Sequence, residues 1–203
     1  MTAPDMTVFD ASRSRFRLIN DWQNLSAENG DLILAFWRRE GAIKDEKKAS
    51  VRLQEIVAHA CDETGQIVAV CTAYGSMLPR FGQPMYQYRC FVGATWRTTN
   101  LVSIMLRAAQ RGLGNYARAN DFPCIGILIE LENPRFLDVH DAKVSKFRTP
   151  IWQRSGFIYV GKSARGLDLR AYYFSGAQLK QDPRTRAAAG ETSAAAARLS
   201  PSD

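Results

Sequence analysis

Long apolar runs are missing. No stretch approaches the roughly 18–20 apolar residues that span a bilayer, so no transmembrane segment is predicted. The first ten residues carry Asp5 and Asp10 and have no apolar centre, which is not the pattern of a signal peptide. A cytoplasmic location is therefore expected. Cysteine is sparse. Cys61, Cys71, Cys90 and Cys124 lie far apart in apolar, strand-like runs, and no C-x-x-C pair exists. Zinc sites need clustered ligands, so no metal is expected. In a reducing compartment the four read as buried small hydrophobes. Histidine is scarcer still, with only His59 and His140, and neither lies near Cys90 in sequence, which argues against a Cys–His nucleophile. Internal repeats are absent. Basic runs with interleaved aromatics are limited to Arg13, Arg15 and Arg17 around Phe16. A solvated strand face accounts for these, and a nucleic-acid partner is not expected.

What is present is ordinary for one globular domain. The chain has 203 residues, 46% hydrophobic and 23% charged, enough for a proper core. The net charge of +7 suits a polyanion, whether the phosphates of a cofactor or an acidic carrier protein.

Periodicity orders the chain. A strand is predicted over 14–19 and a helix over 32–40, capped by Asp31 and stopped by Gly41. A short charged helix over 45–52 precedes a hairpin, with strands over 55–61 and 66–74 around Asp62-Glu63-Thr64-Gly65. After a loop over 77–84 comes a strand over 85–92, a polar basic turn over 93–100, an amphipathic helix over 101–119 and an apolar strand over 124–131. The stretch 134–145 is irregular, with Asp138 and Asp141 around His140. Thr149-Pro150 opens a short helix over 150–154, and strands follow over 157–161 and 169–174. The domain is bounded at 13–175, between a flexible N-terminus over 1–12 and a tail over 176–203 whose small and polar residues predict disorder. The order implies an α+β fold with a mixed, mostly antiparallel central sheet flanked by helices. The 101–119 helix connects two parallel neighbours. A polar loop that opens a helix after a strand is an anion site, because first-turn N–H groups are unpaired and the helix dipole favours negative charge.

This order and its local wording resemble the GNAT (N-acetyltransferase) superfamily. The resemblance covers roughly 15–174. The family's fourth strand, phosphate turn and third helix look like 87–119, and its fifth strand looks like 124–132 followed by Asn133. Its helix ahead of a Gly-Phe pair looks like 151–157. The resemblance implies a GNAT-like fold and direct attack of an amine on an acyl-CoA thioester, acetyl or longer. It places the acyl carbonyl on the backbone of Phe91 and Val92, where an outward bulge is expected before Gly93. It places the CoA phosphates on Arg97, Thr98, Thr99, Asn100 and Leu101, with Asn133 also at the cofactor. The turn is degenerate: Asn100 and Val102 stand where the family has small residues, and Val102 is expected to narrow the approach of a pyrophosphate. Trp152 stands where many members carry the Tyr that protonates the leaving thiolate, and an indole N–H does not titrate in that range.

Among the remaining candidates, Glu130 and Glu132 are two apart and share a strand face. A carboxylate ending an apolar strand suits a base working through water; solvation or pairing with Arg89 or Arg135 is the alternative. Arg89 lies mid-strand and needs a partner, either an acidic substrate or a glutamate. Tyr88 and Trp37 read as walls of the acceptor pocket. His59 reads as a structural histidine on a strand. Three readings stay open: an acyl-CoA-dependent N-acyltransferase acting on a small-molecule or peptide amine, an acyltransferase whose donor is an acyl-carrier protein, and a catalytically silent binding module of the same fold. Oligomeric state is open, a homodimer included.

Overall fold

The computed structural model describes residues 16–77, 79–97, 99–133 and 151–179. Thr98, the 134–150 stretch with Arg135 and His140, the predicted N-terminal segment and most of the predicted tail lie outside the described residues. The element order is β1 (Phe16–Asn20), α1 (Ala27–Arg39), α2 (Glu46–Leu53), β2 (Ile56–Asp62), β3 (Ile67–Met77), β4 (Pro84–Val92), α3 (Leu101–Ala119), β5 (Gly126–Glu130), α4 (Ile151–Ser155), β6 (Ile158–Lys162) and β7 (Asp168–Tyr173). The strands form one sheet in the order β1-β2-β3-β4-β5-β7-β6. β4 and β5 are parallel, and the other recorded ladders are antiparallel. The α+β expectation and the parallel pair joined by the long helix are both as predicted.

Each face of the sheet carries its own helices. The apolar positions of α3 recur with helical spacing, so Leu101, Met105, Leu106, Ala109, Leu113 and Ala117 fall on one stripe and are fully buried. They pack on Val57, Tyr86, Tyr88 and Ile127. On the opposite face Ile33, Phe36 and Trp37 of α1 pack on Ile56, Cys61, Ile67 and Val70.

α1 starts earlier than its sequence suggests. Ser26, not Asp31, is its N-cap, with the hydroxyl accepting from Asn29 N–H at 3.2 Å. Gly30, which looks like a break, is buried inside the helix, where a Cβ would meet a Leu53 methyl at an ordinary contact distance of 3.5 Å. Asp45 caps α2 by accepting from Lys48 N–H at 3.1 Å.

The sheet opens at its centre. β4 and β5 pair over Tyr86–Tyr88 and Ile127–Ile129. Beyond that, β4 continues to Val92 and β5 ends at Glu130, with no further pairing between them. Backbone groups on the β5 side of Arg89–Val92 thus face a cleft instead of a neighbouring strand.

Candidate active site

The cleft holds a cavity of about 480 Å³. β4 contributes Gln87 through Val92, and the end of β5 contributes Ile129 through Asn133. Arg97, Val102 and Leu106 line it from the α3 side, Trp152 from α4, and Trp37, Arg52 and Tyr74 from the α1–α2 side. Of the residues picked from sequence, Trp37, Tyr88, Arg89, Phe91, Val92, Arg97, Glu130, Glu132, Asn133 and Trp152 all face this one space. Thr99, Asn100 and Leu101 are not among its lining residues.

The β3–β4 register decides which backbone donors the cleft can use. It runs without a shift from Met77↔Pro84 to Ala69↔Val92, so the bulge expected before Gly93 is absent. Gly93 N–H bonds the Val68 carbonyl at 2.8 Å. Hydrogen-bonded and non-bonded pairs alternate along an antiparallel ladder, which makes Phe91–Val70 a bonded pair and turns the Val92 backbone toward the cleft. The Val92 carbonyl agrees, since it accepts from Arg97 Nε at 3.1 Å. Val92 therefore presents its N–H to the cavity, while the Phe91 N–H belongs to the sheet. Phe91 contributes its ring instead, edge-on to Phe36 at 5.8 Å and beneath the Arg97 guanidinium at 5.5 Å.

The turn before α3 is built differently from its sequence image. Ala94–Trp96 forms a short 3₁₀ turn. The Thr99 hydroxyl donates to the Trp96 carbonyl at 2.7 Å and accepts from Leu101 N–H at 3.2 Å. Asn100 makes no side-chain cap bond and has φ −80, so glycine's left-handed freedom is not needed there. Leu101 is a core residue. Glu40, which sequence reasoning passed over, reaches this turn from the end of α1: its Oε2 accepts from Ala94 N–H at 3.0 Å.

Sequence reasoning also missed Arg165. It lies in the turn between β6 and β7, and its Nη1 is 3.1 Å from Glu130 and 2.8 Å from Glu132. The pairing alternative holds for both glutamates, with Arg165 and not with Arg89; Arg135 lies outside the described residues. Glu130 ends β5 and is the more enclosed, its side chain 26% exposed against 68% for Glu132. Trp152 is buried, edge-on to Phe157 at 5.9 Å, with the Arg170 guanidinium 5.6 Å from its ring centre. The Tyr88 hydroxyl is buried beside the Cys71 and Cys90 thiols. Cys90 faces the same cavity, and burial pushes its thiol up to about 12, which keeps it protonated near neutrality.

His59 stands apart from the cavity lining. It is fully buried, with Nδ1 2.6 Å from Asp21 Oδ2. Among the described residues no cluster of His, Cys, Asp or Glu forms a metal site, and no helix is long and apolar enough to cross a membrane.

No family model and no curated protein matches the sequence. Solved structures do match. A phosphinothricin acetyltransferase of the GNAT superfamily from Sinorhizobium meliloti, in complex with AcCoA, superposes with a TM-score of 0.55 at 12% identity, over 82% of this chain and 92% of that one. The ribosomal-protein-S5-alanine acetyltransferase from Vibrio fischeri gives 0.53 at 10% identity, over 81% and 96%. A GNAT-family acetyltransferase from Streptococcus pneumoniae gives 0.52 at 13%, over 79% and 99%. These superpositions show that the chain has the fold of the GNAT acetyltransferases.

Proposed function

We propose that the protein is an acyl-CoA-dependent N-acyltransferase. The observation that carries this reading is the splay of β4 from β5. It leaves the Val92 N–H directed into a cavity that also holds Arg97 and Glu130, beside the start of α3. A thioester whose carbonyl oxygen accepts from Val92 N–H is polarised there, and the donor strengthens its bond as negative charge develops on that oxygen. The amine nitrogen attacks the carbonyl carbon, a C–N bond forms and the C–S bond breaks. The proton lost by the amine passes through water to Glu130, whose carboxylate Arg165 orients.

The leaving sulfur needs little help. A thiol is a far stronger acid than water or an amine, so it departs as the thiolate and takes its proton from water. Trp152 is then a wall of the leaving-group site and not its acid. Arg97 supplies positive charge at the end where the donor's phosphates enter, and Val102 narrows that entrance. The four free cysteines suit a reducing, cytoplasmic setting.

The test is thermal denaturation with acetyl-CoA, longer acyl-CoAs and free CoA, followed by thiol release with a panel of amines. A ligand at one hundred times its Kd adds about 2.7 kcal/mol of stability. No shift with any of the three overturns the acyl-CoA reading and favours an acyl-carrier protein as donor. A shift without thiol release favours a binding module.

A further inference from the structure

Two arginines meet on the α1–α2 side of the cleft, away from the start of α3. Arg89 projects from β4. Its Nη2 donates to the Tyr74 hydroxyl at 3.4 Å, and its guanidinium lies 5.0 Å from the Tyr74 ring centre. Arg52, in the last turn of α2, reaches the same place. One oxygen of Glu55 lies between them, 3.5 Å from Arg52 Nε and 3.9 Å from Arg89 Nη1. That oxygen is buried and makes no hydrogen bond, so both approaches are ion-pair contacts only. Arg52, Tyr74 and Arg89 line the cavity.

The charge count is uneven. One carboxylate stands between two guanidiniums, which leaves one positive charge uncompensated within the cluster. The Arg52 pKa is lowered, first by burial and then by the charge of Arg89, against the opposing fields of Glu55, Tyr74 and Glu132. Of the other carboxylates on the cavity, Glu130 and Glu132 are engaged by Arg165, and Glu132 reaches Arg52 only through its field, without an ion-pair contact. A guanidinium has five N–H donors in a planar fork, and each of these two keeps donors for a further acceptor. Paired guanidiniums with excess charge on a cavity wall select an anionic oxygen group, because a neutral ligand leaves that charge unmatched.

We propose that the acceptor amine carries an anionic oxygen group, a carboxylate or a phosphate, which Arg89 and Arg52 bind. This rests on the acyltransferase reading. Arg89 and Phe91 share a face of β4, about 7 Å apart along the strand. The anionic group is therefore held close to the point where Val92 N–H holds the acyl carbonyl. A small amine with a few bonds between its nitrogen and its anionic group fits that span. Tyr74 fixes the Arg89 side chain, and Glu55 keeps the two guanidiniums together against their repulsion. The group itself takes no part in bond making: the amine nitrogen is acylated and the anionic end is unchanged.

The experiment measures thiol release from acetyl-CoA with the common amino acids, β-alanine and O-phosphoethanolamine. Each is matched to a neutral partner: the amino-acid amides, β-alaninamide and ethanolamine. The expected result is a kcat/KM at least tenfold higher for the anionic member of the preferred pair. Whether that pair is a carboxylate or a phosphate identifies the group. Arg89→Gln and Arg52→Gln should each raise KM for the anionic amine roughly 10–100-fold and flatten the preference. Arg89→Lys should recover part of it, and the thermal shift with acetyl-CoA should stay at the wild-type value in all three. Equal use of the neutral partners overturns the inference, and so does a preference that survives both Gln variants. No turnover of any anionic amine, with the acetyl-CoA shift intact, overturns it too and leaves the acyl-CoA reading standing. An absent acetyl-CoA shift removes that reading and this inference with it.

Discussion

Arg97 Nε donates to the Val92 carbonyl at 3.1 Å. This bond ties the turn that opens α3 to the end of β4, at the point where β4 has left β5. It also fixes a positive charge beside the only backbone donor of the Phe91–Val92 pair that the cleft can reach.

Arg97→Ala should weaken acetyl-CoA roughly 10–100-fold, the range for loss of a charged hydrogen-bond donor. The residue is exposed, so Tm should move by no more than a few degrees. Calorimetric titration of wild type and variant checks the first, and a melting curve the second.

The two glutamates should separate in kinetics. Glu130 ends the strand and is the more enclosed, whereas Glu132 lies beyond it and is mostly exposed. Glu130→Gln should lower kcat by about 10²–10⁴ with acetyl-CoA affinity unchanged. Glu132→Gln should cost less than about threefold, since its main contact is a surface ion pair. Steady-state thiol release on both variants decides; equal losses contradict the assignment.

The Asp21–His59 pair predicts a pH dependence of stability. Burial alone would lower the imidazole pKa, but hydrogen bonds to Asp21 and Cys61 outweigh it and raise the value from 6.5 to about 9. A raised pKa in the folded state means the contribution is complete below pH 6.5 and is lost as pH rises through about 9. Urea midpoints should fall across that window in the wild type and fall less in Asp21→Asn. That variant breaks a buried pair and should be destabilised by about 3–5 kcal/mol at pH 6.

Gly126 should tolerate no side chain. A Cβ there would lie 2.1 Å from the Tyr172 carbonyl oxygen in β7, so the strands must part or β5 must twist. Gly126→Ala should cost about 3 kcal/mol or more, read from urea denaturation. Because β5 forms one wall of the cleft, acetyl-CoA binding should weaken with it.

Much of the fold is legible in the sequence, and for local reasons. The α3 stripe repeats its apolar residues with helical spacing, so its bounds of 101–119 can be read directly. The hairpin of β2 and β3 announces itself through Asp62 to Gly65, where Asp62 accepts from Thr64 and Gln66 N–H at 2.9 and 3.0 Å. The start of α1 is not legible, because Gly30 reads as a break and hides the Ser26 cap four residues before it. The same limit hides the site's partners. Glu40 is 54 positions from Ala94, and Arg165 is 35 from Glu130. Such pairs are set by the sheet order, not by spacing. The choice of Val92 over Phe91 as donor likewise depends on ladder phase, which Gly93 and Val68 fix and the sequence does not state.

The most direct test is titration of the full chain with acetyl-CoA by calorimetry. The account predicts saturable binding to one site, weakened by Arg97→Ala. Absence of saturable binding up to about 1 mM, beyond which affinity is weaker than about 4 kcal/mol, would contradict it.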